Sequence, residues 1–313
     1  MYGNFWDNLR NAFKHSDNSL FKLIAINILV FFVVLIVEVP MTWGGAELLF
    51  NKALSNLMIP SSLPKLITQP WSIFTYMFLH ERFFHILGNM LFLYWFGLLI
   101  HQFLGSRKLA NLYILGGLSG ALLYIIIYNL FPFFNDKVDG GLMLGASAGV
   151  LAIVVGAATL SPNTTFHLLL IGPVKIVYIA AFYVIYSYVQ TIGPNAGGNI
   201  AHLGGALLGY LYIIQLRNGI DWGVPVQKVG IFFEDLLSGR KNKVKVSYRS
   251  KAKTSNGGGF SSFKKTPKST PAQVSSDEAT QEEIDKILDK IADRGYEALN
   301  KEEKRKLFEF SKK

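Results

Sequence analysis

A succession of long apolar runs restricts this chain more than any other feature. From Leu20 to about Leu216 hydrophobic segments follow one another with short polar breaks; from Arg217 the sequence turns charged and then low in complexity. A helix needs roughly 20 apolar residues to cross the hydrocarbon of a bilayer, because only helices and closed barrels satisfy their own backbone there. Six segments are read as such spans: 20–41, 83–103, 109–131, a shorter 147–160, 174–192 and 200–215. The expected fold class is an all-α membrane protein, a bundle of six transmembrane helices within residues 20–216. Residues 1–19 contain no apolar h-region, so the first run is expected to be a signal-anchor span.

Basic residues orient such a bundle. Arg10, Lys14 and Lys22 flank the first span, Arg107 and Lys108 fill the turn after the second, Lys175 precedes the fifth, and Arg217 ends the last. An even number of crossings puts all of these on the cytoplasmic side, in a membrane of the bacterial inner type. The formal net charge of +10 is concentrated outside the spans. Residues 1–217 hold 11 Lys and Arg against 7 Asp and Glu, and the remainder holds 20 against 14. A basic stretch such as Arg240 to Lys245 beside a membrane suits anionic lipid better than nucleic acid. With no Cys in the chain, disulfides, thiolate nucleophiles and Cys-based zinc sites are excluded.

Strongly polar groups inside a span are costly and are usually aimed into the bundle. His85 and Asn89, four residues apart, share a helix face near the start of the second span. Ser147 begins the fourth, after the glycine-rich stretch 140–145, and His202 lies near the start of the last. Alternating topology brings all four to similar depth near the outer surface, whereas a proton path would need staggered depths. Peptide hydrolysis requires a nucleophile, a base within about 3 Å and donors for the oxyanion. Ser147, His202 and the pair His85 and Asn89 fit these roles in turn. His202, Gly205 and Gly209 form a nearly bare helix face, and Ala148, Ala152 and Gly156 form a matching small stripe. Such faces allow close approach in lipid, which would bring the hydroxyl to the imidazole. The bland alternatives are a serine bonded to its own helix, glycines that serve packing alone, and His80, Glu81, His101 and His167 at the interface.

Together these residues resemble the rhomboid family of intramembrane serine proteases. The likeness covers about residues 69–209, together with the span and loop that precede them. It rests on Gly145-Ala146-Ser147-Ala148, on His85-x-x-x-Asn89, and on Ala201-His202 followed by Gly205 and Gly209. The resemblance implies a six-helix core and a Ser147–His202 dyad, with His85 and Asn89 at the oxyanion. It also implies cleavage of single-span membrane proteins near their outer boundary, lateral substrate entry beside the fifth helix, and no metal or cofactor. Three positions depart from the family pattern. Ala148 stands for a usual second glycine, Leu151 for a frequent tyrosine, and Ser72 follows Trp71 where arginine is usual. A catalytically silent relative that binds transmembrane segments is the competing expectation.

The loop 42–82 is apolar but broken by Pro60, Pro64 and Pro70, and is expected to lie in the interface or over the bundle. Residues 217–279 read as a basic, largely disordered linker. A small cytoplasmic helical element is expected over 280–313. Ile284, Ile287, Leu288 and Ile291 share one helix face; Gly295 stops that helix. Asn300 with Glu303 forms a capping box for a second helix carrying Leu307 and Phe310. That element suits a cytosolic partner or a folded stop to the chain, and carries no chemistry of its own.

Overall fold

The computed structural model describes residues 4–14, 18–168, 172–230, 283–284, 286–287, 289–290, 299–300, 302–303 and 305–306. The chain divides into two units, Met1–Val244 and Lys245–Lys313.

In the first unit α1 (Phe5–Arg10) is capped by the side chain of Asn4 and leads to α2 (Ser19–Trp43). The loop after α2 folds into α3 (Glu47–Ser55), β1 (Ile59–Pro60), α4 (Leu63–Thr68), α5 (Ser72–Thr75) and a 3-10 turn at Tyr76–Phe78. Two long helices follow, α6 (Phe83–Leu104) and α7 (Ser106–Leu130). Gly105 breaks them with a φ of 81°, open to glycine without strain. After β2 (Leu142–Met143) come α8 (Ser147–Leu160), β3 (Thr165–Leu168), β4 (Gly172–Lys175), α9 (Ile176–Val189) with a 3-10 turn to Ile192, and α10 (Ala196–Arg217).

The six apolar runs are all helical, but the expectation of six spans is corrected. Among the described residues four helices, α2, α6, α7 and α10, are long and apolar enough to cross a membrane. With 14 residues each, α8 and α9 would reach about 21 Å at 1.5 Å per residue, short of a hydrocarbon core of roughly 30 Å. The all-α class also acquires two small antiparallel ladders, β1 with β2 and β3 with β4.

One end of the unit gathers the chain's basic turns. Ser19 N–H donates to Ser106 Oγ at 2.6 Å, Lys108 pairs with Asp221, and Arg217 Nη2 donates to the Thr159 carbonyl at 2.6 Å. The Asp221 carboxyl also accepts from Tyr212 Oη and the Gly223 N–H. At the opposite end the first loop is pinned to the stretch before α8. Ile59 pairs with Met143, Ser61 Oγ donates to the Val138 carbonyl at 2.7 Å, and Asn129 Nδ2 donates to the Ser61 carbonyl at 2.8 Å. The loop is thus a brace for residues 138–145.

Between the two ends, α8 is enclosed by glycine faces. A Cβ at Gly205 would collide with the backbone of Ala148, and one at Gly209 with the backbone of Ala152. On the other side a Cβ at Gly116 would strike the Ala152 methyl, and one at Gly120 would lie 2.6 Å from the Ala148 methyl. Backbone approach of this kind is how helices gain dispersion contacts in lipid, where apolar burial gives little drive. The pairs Ala148–Gly205, Ala152–Gly209, Gly156–Ile213 and Leu160–Arg217 descend both helices together in steps of four. Helices α8 and α10 therefore run parallel and in register. The glycine stripe of α10 is as the sequence suggests; that of α7, Gly116-x-x-x-Gly120, carries the same small-residue spacing and serves the same contact.

In the second unit the described stretches within 283–290 and 302–306 are helical, and Ile284, Ile287 and Leu299 are buried together. Asn300 Oδ1 accepts from Glu303 N–H at 2.8 Å while Glu303 Oε2 accepts from Asn300 N–H at 2.8 Å, the reciprocal capping box. Lys290 bonds Glu303 and Lys306 bonds Glu283. The expectations for 231–279, and for Leu288, Ile291, Gly295, Leu307 and Phe310, fall outside the described residues.

Candidate active site

Gly145 sets the geometry of the site. Its N–H donates to the Tyr76 carbonyl at 2.9 Å, and its φ is 134°, a conformation that L side chains rarely adopt. A Cβ there would come within 3.2 Å of His85 Cε1 and Nε2 and 3.5 Å of Ser147 Oγ. Two residues later Ser147 opens α8. The first N–H groups of a helix have no partner within it, and the helix dipole favours negative charge at that end.

Ser147, His85 and Asn89 line one cavity of about 230 Å³, together with Phe92, Leu151 and Tyr183 among others. Asn89 Nδ2 donates to the His85 carbonyl at 3.0 Å, which fixes the amide and leaves its second N–H available. The rings of Phe92 and Tyr183 meet edge-on at 4.9 Å and join α6 to α9 across the cavity wall.

His202 stands at the same end of the α8–α10 pair, one turn above Gly205, and is an electrostatic neighbour of His85. Its Nδ1 lies 3.1 Å from Oγ of Ser187, a fully buried residue of α9. Among the described residues no hydrogen bond joins Ser147 to His202. The cavity therefore unites three of the four polar residues singled out in the sequence, and the imidazole of the fourth is held from its far side by a residue that was not.

Two departures from the resembled pattern have local explanations. Ala148 is helical and buried, and its methyl occupies the space that Gly120 leaves open. Leu151 is buried against the cavity, where Tyr183 of α9 supplies an aromatic wall.

Two single histidines are buried within the protein. His80, expected at the interface, is only 5% exposed and sets its ring edge-on to His85 at a centroid distance of 5.1 Å. Burial, and then the neighbouring His85 imidazole, hold its pKa at about 4, so it is neutral near pH 7 and packs as an apolar ring. His101 is also buried, at the far end of α6.

Comparison with known proteins adds a second line of evidence. Residues 68–219 match the model of the Rhomboid domain, and residues 276–313 match that of a family of unknown function, DUF6576. The chain is 29% identical over 157 residues to RHOMBOID-like protein 12, mitochondrial, of Arabidopsis thaliana, covering 47% of each chain. It is 29% identical over 153 residues to RHOMBOID-like protein 1 of the same plant, covering 48% of this chain and 36% of the relative. To Rhomboid protein 1, mitochondrial, of Saccharomyces cerevisiae it is 27% identical over 216 residues, covering 66% of this chain and 56% of the relative. The chain thus spans about half the length or less of the first two relatives and somewhat more of the third.

Proposed function

The chain belongs to the rhomboid family, and from that premise we propose that it is an intramembrane serine endopeptidase of single-span membrane proteins, acting through Ser147 and His202. The observation that carries this reading is the convergence of Ser147, His85 and Asn89 on one cavity at the start of α8.

In the proposed reaction Ser147 Oγ attacks the scissile carbonyl carbon while His202 Nε2 takes its proton. Negative charge then gathers on the carbonyl oxygen. His85, the free N–H of Asn89 and the backbone N–H of Ser147 are placed to receive it, and such preorganised donors are worth the most where water is excluded. The imidazolium next protonates the departing amine, and water repeats the cycle on the acyl-enzyme. The register of α8 and α10 supports the approach of hydroxyl and imidazole, because it fixes both residues at one end of a tightly packed pair. Catalytic hydrogen bonds are often long before substrate binds and tighten in the complex.

Substrate would enter beside α9, where ring contacts rather than backbone packing close the gap to α6. The shared end of Arg107, Lys108 and Arg217 supports a cytoplasmic placement of that end and of both termini, in a bacterial-type inner membrane, with the cavity toward the opposite surface. A cytosolic partner for residues 280–313 belongs to the same proposal, and the paired helices of that element support it.

A second reading is favoured by the lack of a Ser147–His202 hydrogen bond: a silent relative that holds transmembrane segments without cutting them. Liposome-reconstituted protein incubated with a panel of single-span substrates separates the two. Cleavage that falls about 100-fold or more in both Ser147→Ala and His202→Ala, with folding retained, is expected of the enzyme. Equal cleavage by Ser147→Ala, or none by the parent protein, discards it.

A further inference from the structure

The proposed base has no carboxylate behind it on α10, yet its second nitrogen is not left to water. Ser187 lies in the middle of an apolar stretch of α9, is 0% exposed, and places Oγ 3.1 Å from His202 Nδ1. We propose that Ser187 is the positioning residue of the base, its hydroxyl oxygen accepting the Nδ1–H of His202 and thereby presenting the Nε2 lone pair to Ser147. This rests on the reading of His202 as base and deepens it.

The chemistry allows two arrangements across that distance. Among the described residues the one hydrogen bond of the Ser187 hydroxyl is with His202 Nδ1; in the first arrangement the hydroxyl hydrogen would turn away from the ring, toward the Tyr183 carbonyl one turn back, as helical serines commonly do. The lone pairs of Oγ then face Nδ1, which must carry hydrogen, and Nε2 is free to take a proton. In the reverse arrangement Ser187 would donate to Nδ1, the hydrogen of the neutral ring would sit on Nε2, and the ring could not serve as base. The first arrangement also gains during the reaction. When Nε2 takes the Ser147 proton, Nδ1–H becomes the donor of a cation, and a charge-assisted bond is stronger than a neutral one. A hydroxyl thus occupies the place that a carboxylate holds in a catalytic triad, without bringing a second charge into the bundle.

Two measurements test this. The first compares Ser187→Ala, Ser187→Thr and Ser187→Val in liposomes. Thr and Val have the same shape and differ in the hydroxyl, so any strain from the added methyls is common to both. A fall of about tenfold in kcat for Ala and Val, equivalent to about 1.4 kcal/mol, with KM unchanged and Thr restoring the rate relative to Val, is expected. Val equal to Thr in kcat overturns the proposal. The second does not require activity: ¹⁵N spectra of histidine-labelled protein in micelles, with the His202 signal assigned from His202→Ala. Hydrogen on Nδ1 of neutral His202 in the parent, lost or mixed in Ser187→Ala, supports the assignment. Hydrogen on Nε2 in the parent, or no change in Ser187→Ala, overturns it whether or not the protein cleaves anything. Conversely, the expected spectra with no cleavage by the parent would defeat the protease reading and leave the positioning contact standing.

Discussion

Helix α8 has two kinds of neighbour, and they are built on opposite principles. Toward α7 and α10 it meets glycine, so the contact is backbone against backbone, and Gly205, Gly209, Gly116 and Gly120 leave no room for a methyl. Toward α9 the contacts are side chains, and much of α9 turns outward: Tyr178, Phe182 and Ile185 are each 63% exposed. The seam fixes distances because backbone cannot repack, whereas the flank can adjust because rings can turn. Ser147, the proposed nucleophile, stands one residue before the seam, and Ser187, proposed to hold the base, stands on the flank. Precision and access are thereby assigned to different helices.

The largest effect should come from breaking the seam. Gly205→Val or Gly209→Val places branched carbon against the Ala148 or Ala152 backbone and should cost more than the about 1–3 kcal/mol usual for overpacking, with loss of activity. Thermal unfolding in detergent would show it. Phe182→Ala on the outward face of α9 should change stability by less than about 0.5 kcal/mol. Similar losses at both places would erase the distinction.

A smaller effect is expected at Gly120. Gly120→Ala meets the Ala148 methyl and should destabilise by about 1–3 kcal/mol. Ala148→Gly in the same chain should recover part of that, giving a coupling above about 0.5 kcal/mol in a double-mutant cycle. Additive losses would mean that the Gly120 clash lies elsewhere, for instance with the Ala201 carbonyl 2.8 Å from the added carbon.

The smallest effect should lie at the flank. Tyr183→Ala removes the ring pair with Phe92, worth about 0.5–1.5 kcal/mol. If that pair holds the entry shut, kcat/KM for single-span substrates should rise by up to about tenfold. A fall in kcat/KM with unchanged stability would show that Tyr183 serves the bound substrate instead.

Much of this plan was legible in the sequence. Apolar runs located the helices, because hydropathy reports burial in lipid or protein alike. For the same reason hydropathy could not separate spans from the two short helices. That distinction depends on length, and on polar groups such as Arg217 that reach the end of α8 from a distant element. Ser147, His85 and Asn89 were legible because each is costly in an apolar run and the latter pair shares a helix face. Ser187 was not: a lone serine in a span ordinarily bonds its own helix, and its use depends on which way α9 faces. The burial of His80 was not legible either, because the loop before α6 brings its ring against His85, which no local pattern announces.

The stepwise pairing of α8 with α10 has a bearing on how the gene can vary. One residue inserted or deleted within 148–160 or 205–217 would turn everything beyond it by about 100° and set side chains against the neighbouring backbone. Changes in length should therefore accumulate in the connections on either side of α9, in 161–175 and 190–195, where they can be absorbed without disturbing the ladder.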